Sequence, residues 1–155
     1  MESVCQTLEG ALEKAILSEQ DSFEVYRKAL KVVQNPHARM VLKDLALEEL
    51  EHKHILEKGL IGETLTLHDK GEATGPSMNL AAVLKEKPLD ANASAQEVMI
   101  YAIHDERRSV ELYKRMAIQC GGAPMEEVFS KLQHQEGIHL ARLEEAYEKF
   151  YMSQM

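Results

Sequence analysis

Two segments of the chain carry Glu-x-x-His in a register where a helix would bury leucine. The first reads Leu42-Lys-Asp-Leu45-Ala-Leu-Glu-Glu49-Leu-Glu-His52-Lys-His-Ile-Leu56, in which Leu42, Leu45, Glu49, His52 and Leu56 follow at steps of three or four. That is the spacing of the buried stripe of an amphipathic helix. A carboxylate and an imidazole on such a stripe are costly unless something pairs with them, and a metal ion is the usual partner. The second segment reads Phe129-Ser-Lys-Leu132-Gln-His-Gln-Glu136-Gly-Ile-His139-Leu-Ala-Arg-Leu143. Glu49 and Glu136, His52 and His139, Leu45 and Leu132, and Leu56 and Leu143 are each separated by 87 residues. The chain is internally duplicated.

The same offset relates two further glutamates. The stripe Leu8, Leu12, Ile16, Glu19, Phe23, Tyr26, Leu30, Val33 has its counterpart in Met99, Ile103, Glu106, Val110, Tyr113, Ala117, with Glu19 matching Glu106 and Tyr26 matching Tyr113. Glu19, Glu49, His52, Glu106, Glu136 and His139 are therefore the candidate metal ligands. Four glutamates balance the charge of two divalent cations. Oxygen-rich ligation with one imidazole per metal suits iron or manganese better than a structural zinc site. Tyr26 and Tyr113 sit seven residues after their glutamates on the same face. They either pack as core aromatics or donate a hydroxyl hydrogen bond that orients a ligand carboxylate.

A lone Glu-x-x-His is usually a solvated helix face. Glu51 and His54 form such a pair, on a stripe of Asp44, Leu47, Glu51, His54 and Lys58 whose repeat counterparts Ile138 and Ala141 cannot ligate. They are read as surface residues. His37, His68, His104 and His134 lack a glutamate three residues earlier and are assigned no ligand role.

Four helices must position these groups, over roughly residues 4–33, 37–60, 95–120 and 124–150. Capping boxes at Ser3-x-x-Gln6 and Ser94-x-x-Glu97 open the first and third, and Asn35-Pro36 separates the first two. Residues 62–93 are turn-rich, with a short helix expected within Met78–Lys87 before Pro88. A connection this long is unusual inside a compact domain and can traverse the bundle, leaving the third helix parallel to the second. The expectation is one all-α domain over residues 1–155, built from two repeated helical hairpins joined by a crossover. Cys5 and Cys120 then fall at the same end, read as free buried thiols.

Composition limits the partners. The net charge of −8 argues against nucleic acid or an anionic membrane as partner. No basic and apolar leader opens the chain and no run is long enough to span a bilayer, so a reduced cytoplasmic setting is expected. Gly121-Gly122 has no nucleotide-binding glycine pattern around it, so no nicotinamide or flavin site is read.

The set Glu19…Tyr26, Glu49-x-x-His52, Glu106…Tyr113 and Glu136-x-x-His139 resembles the di-iron domain of the rubrerythrin branch of the ferritin-like superfamily, whose members use this carboxylate–histidine pattern. The resemblance spans both hairpins. It implies a ferritin-like four-helix bundle with two iron ions (manganese or zinc as substitutes), reducing hydrogen peroxide or dioxygen with electrons from an external donor protein, and a homodimer. A four-cysteine rubredoxin-like module, common in the family, is not found in this sequence, and Ser109 stands where rubrerythrins place an additional glutamate ligand. Iron storage by ferroxidase activity and a metal-free helical interaction module are the rival readings.

Overall fold

The computed structural model describes residues 5–65, 77–122 and 124–152. Among these the long elements are helices α1 (Leu8–Val32), α2 (Pro36–Leu60), α3 (Ala95–Gln119) and α4 (Met125–Tyr147), with no strand. The fold is a four-helix bundle, as expected, and no helix among the described residues is long and apolar enough to cross a membrane.

Local chemistry sets the helix ends. Thr7 caps α1 by accepting from the Gly10 amide at 2.9 Å; Ser3, the expected cap, lies outside the described residues. Asn35 accepts from the Ala38 amide at 3.0 Å with Pro36 in the first turn of α2, and Arg39 donates back to the Leu30 and Val33 carbonyls, closing the first hairpin. The Ser94–Glu97 capping box opens α3 as expected. Gly122, at φ +109°, makes the turn into α4, a conformation that L side chains rarely adopt. Beyond Tyr147 the chain continues as a π-helical turn over Glu148–Met152.

Two expectations are corrected. The short helix within Met78–Lys87 is only a 3₁₀ turn at Leu80–Ala82. Its anchor is Glu144, a buried carboxylate on α4 that accepts from Ser77 Oγ at 2.8 Å, Met78 N at 3.3 Å and Leu80 N at 2.9 Å. Those side-chain contacts take the place of helical turns. Cys5 and Cys120 are not free thiols: they form a disulfide with Cα atoms 4.9 Å apart. The start of α1 and the end of α3 converge at one end of the bundle, which brings the two cysteines within bonding reach. It also makes α1 and α3 antiparallel, and α3 parallel to α2.

The core is split along the bundle axis. One apolar cluster, including Leu12, Leu56, Met116 and Phe129, fills the disulfide end. Another, including Val33, Leu42, Leu45 and Val98, fills the opposite end. The polar stripe positions lie between them.

Candidate metal centre

The four helices bring the two Glu-x-x-His pairs face to face. His52 and His139 stack with ring centroids 4.6 Å apart and planes inclined by 16°. His52 Nδ1 lies 3.5 Å from Glu136 Oε1 and 3.8 Å from Glu19 Oε2. His139 Nδ1 lies 3.8 Å from Glu136 Oε2 and 3.9 Å from Glu48 Oε2. These gaps are too long for hydrogen bonds. They leave room for a cation: ligand atoms of Glu19, Glu49, His52 and Glu136 all lie within 4.8 Å of one another, as do those of His52, Glu136 and His139. Glu136 and His52 belong to both groups. Glu106 lies outside those two groups but faces Glu136 and Glu49 from α3. All six sequence-predicted residues are at most 5% exposed.

The hydrogen-bond inventory tests whether these residues fit metal ions. Seven buried side-chain atoms among the described residues have no partner, and six of them are here: Glu49 Oε2, His52 Nδ1, Glu106 Oε2, both Glu136 oxygens and His139 Nδ1. A buried polar atom left unsatisfied costs about 1–3 kcal/mol. Six in one volume, all on oxygen and imidazole donors, fit a pair of divalent ions.

The electrostatics show the same frustration. Burial, and then the charge of Glu19, pushes the Glu49 carboxyl well above its ordinary range; burial and Glu136 do the same to Glu106. Burial and Glu19 raise Glu136 to about 7. Glu19 moves the other way, to about 2, because Glu49 and His52 outweigh its burial. Burial opposes charge on His52, but Glu136 and Glu19 overcome it and raise it to about 10. Burial and the neighbouring His52 charge depress His139 to about 3. The carboxylates share protons because the volume cannot hold four bare negative charges.

The tyrosines divide. Tyr113 donates to Glu19 Oε1 at 3.1 Å and toward the Ala15 carbonyl at 3.4 Å, as an orienting donor should. Tyr26 instead donates to Asp105 Oδ2 at 3.0 Å. The repeat counterpart of Asp105 is Ser18, whose hydroxyl is a weaker acceptor than Glu19, so only the second tyrosine reaches a stripe glutamate. Asp105 was not anticipated. It lies one residue off the stripe and also sits 3.6 Å from Arg108, which binds Glu86 through two nitrogens. Glu48 and Glu144 were missed for the same reason. Among the remaining histidines, His37, His54 and His134 are exposed, His104 lies with Nε2 2.7 Å from the Leu84 carbonyl, and His68 is outside the described residues. Ser109 is half-buried.

A family model for rubrerythrin matches residues 10–147. No curated protein and no solved structure gives a significant match. The family and the buried acidic–histidine cluster together suggest a dimetal site. With both helical hairpins inside the matched span and the carboxylates and imidazoles converging between them, the chain belongs to the rubrerythrin family, through its ferritin-like di-iron domain.

Proposed function

We propose that the protein is a non-haem di-iron redox protein that reduces hydrogen peroxide or dioxygen with electrons from an external donor protein. The observation that carries this is the gathering of partnerless ligand atoms on Glu49, His52, Glu106, Glu136 and His139 in one buried volume. In this reading those five residues and Glu19 hold two iron ions, for which manganese or zinc can substitute. Two ferrous ions bound there supply the two electrons that cleave an O–O bond.

The chain's own residues prepare that volume. Tyr113 fixes the rotamer of Glu19 through its hydroxyl hydrogen bond. Tyr26, held by Asp105, keeps a hydroxyl proton near Glu49 and Glu106, and Asp105 connects through Arg108 toward the surface. The apolar clusters at either end keep bulk water out and limit side reactions. Peroxide takes two protons with its two electrons to leave as two waters.

The test is the iron content of protein purified without oxygen, followed by rapid mixing of the ferrous form with peroxide and, separately, with dioxygen. Close to two irons per chain and faster oxidation by peroxide support a peroxidase. A preference for dioxygen moves the assignment to an oxidase or ferroxidase, and failure to bind metal under any loading condition refutes the reading.

A further inference from the structure

We propose that Glu48 is a seventh metal ligand, delivered from α2 to the ion held by His139, with Arg142 steadying its carboxylate. This rests on the dimetal reading above and adds a residue which that reading does not use.

Glu48 precedes the ligand Glu49, so three-and-four spacing places it off the core stripe. Its Oε2 is nevertheless 3.9 Å from His139 Nδ1, the partnerless nitrogen. The separation of the same nitrogen from Glu136 Oε2 is 3.8 Å. An ion bonded at about 2.0–2.2 Å holds its ligand atoms about 3–4 Å apart, so both carboxylates stand at ligand distance from His139. Glu48 Oε1 lies 3.9 Å from Arg142 Nη2. The carboxylate is thus poised between a cation of the protein and the nitrogen that would carry the metal.

The surroundings agree. Glu48, His139 and Arg142 line one cavity of about 630 Å³ between α2 and α4, with Leu45, Met99 and Leu143 among its apolar walls. The Glu48 side chain is 27% exposed, against 5% for that of His139. A ligand arriving from this side can move without disturbing the packed core. Charge closes the argument: four glutamates already balance two divalent ions, and Arg142 offsets the fifth carboxylate. The position 87 residues later is Gln135, whose amide offers no anionic oxygen. The seventh ligand therefore belongs to one half of the repeat, and the two metal positions are unequal.

The experiment loads the full-length protein with cobalt(II) against a competing chelator, reading stoichiometry, affinity and the visible absorption that reports coordination number. Glu48→Gln should weaken one of the two ions about 10–100-fold, the range seen when groups around a metal are removed. It should also intensify that ion's bands as its coordination number falls. Glu48→Asp should give an intermediate spectrum, and Asp44→Asn, in the same cavity, should change neither. Wild-type affinity and spectrum in Glu48→Gln would overturn the proposal. So would equal weakening of both ions together with a lower melting temperature of the metal-free form, which marks a structural role. If the wild-type chain itself fails to take two cobalt ions, the dimetal reading falls and this proposal falls with it.

Discussion

Replacing Glu106 with leucine should make the metal-free protein more stable and the metal-loaded protein less so. Glu106 is 1% exposed, its Oε2 has no partner, and it faces Glu136 and Glu49 with its carboxyl held above the ordinary range by burial. Leucine removes one unsatisfied atom, a gain of about 1–3 kcal/mol, against roughly 1 kcal/mol for imperfect shape. The net gain of up to about 2 kcal/mol raises the melting temperature by up to about 8 °C in a chain of this size. In wild type, metal at a hundredfold excess over Kd adds about 2.7 kcal/mol, which the variant loses as its ligand set becomes incomplete. The two melting curves should therefore change order when ferrous or cobalt ion is added. Differential scanning calorimetry of both proteins, with chelator and with metal, reads this directly. A variant that melts below wild type in chelator would mean that Glu106 has a stabilising partner within the fold, and the reasoning from orphaned ligands would fail.

Three other outcomes follow from the same geometry. Above pH 6.5 the metal-free protein should lose stability as pH rises, because Glu49, Glu106 and Glu136 (about 7) hold protons more tightly folded than unfolded and His52 (about 10) does the same. The stabilisation by depressed His139 is already complete above its unfolded value of 6.5, so nothing at the site opposes the trend; melting from pH 6.5 to 9, with saturating metal as the flat reference, checks it, and an equal slope in both states refutes it. Reducing the Cys5–Cys120 disulfide, which closes a loop of 115 residues, should cost up to about 5 kcal/mol, or about 10–20 °C in melting temperature; an unchanged melt in reductant would show that the link constrains nothing. Glu144→Ala should cost about 2–4 kcal/mol by leaving the Leu80 amide buried without its acceptor, and hydrogen exchange at Met78 and Leu80 should accelerate, whereas native exchange there would contradict the anchoring role.

The six buried polar positions were legible in the sequence because each replaces a leucine on a three-and-four stripe, and because the 87-residue repeat tests each position twice. Bundle architecture followed from the same stripes. Glu48, Asp105 and Glu144 were not legible. Each stands one residue away from a stripe position, and whether such a residue faces solvent or a neighbour depends on how far the helix is rotated in its packing, which periodicity fixes only to within about 20–30° per heptad-scale drift. Their partners (His139, Tyr26 and the amides of Met78 and Leu80) come from other helices or the crossover, so local spacing carries no trace of them. The cysteines show the same limit: topology put them at one end, but a bond requires Cα atoms at 4.9 Å, a distance set by packing.

The placement of the polar centre between two apolar clusters explains how the fold tolerates it. Unsatisfied carboxylates in a single continuous core would compete with the packing that holds the helices together. Here Leu12, Leu56, Met116 and Phe129 pack at the disulfide end, and Val33, Leu42, Leu45 and Val98 at the other, without using the space around Glu136. The fasteners also lie away from the middle of the stripes, with the Cys5–Cys120 bond at one end and Glu144 tying the crossover to α4. Helix spacing at mid-bundle is thereby imposed from both sides, and the candidate ligands are held close together within the folded chain. Preorganisation of this kind moves the cost of assembling the site from metal binding into folding. It follows that the end clusters set most of the stability of the metal-free chain, so Phe129→Ala should lower it by about 3–5 kcal/mol while Glu106→Leu raises it.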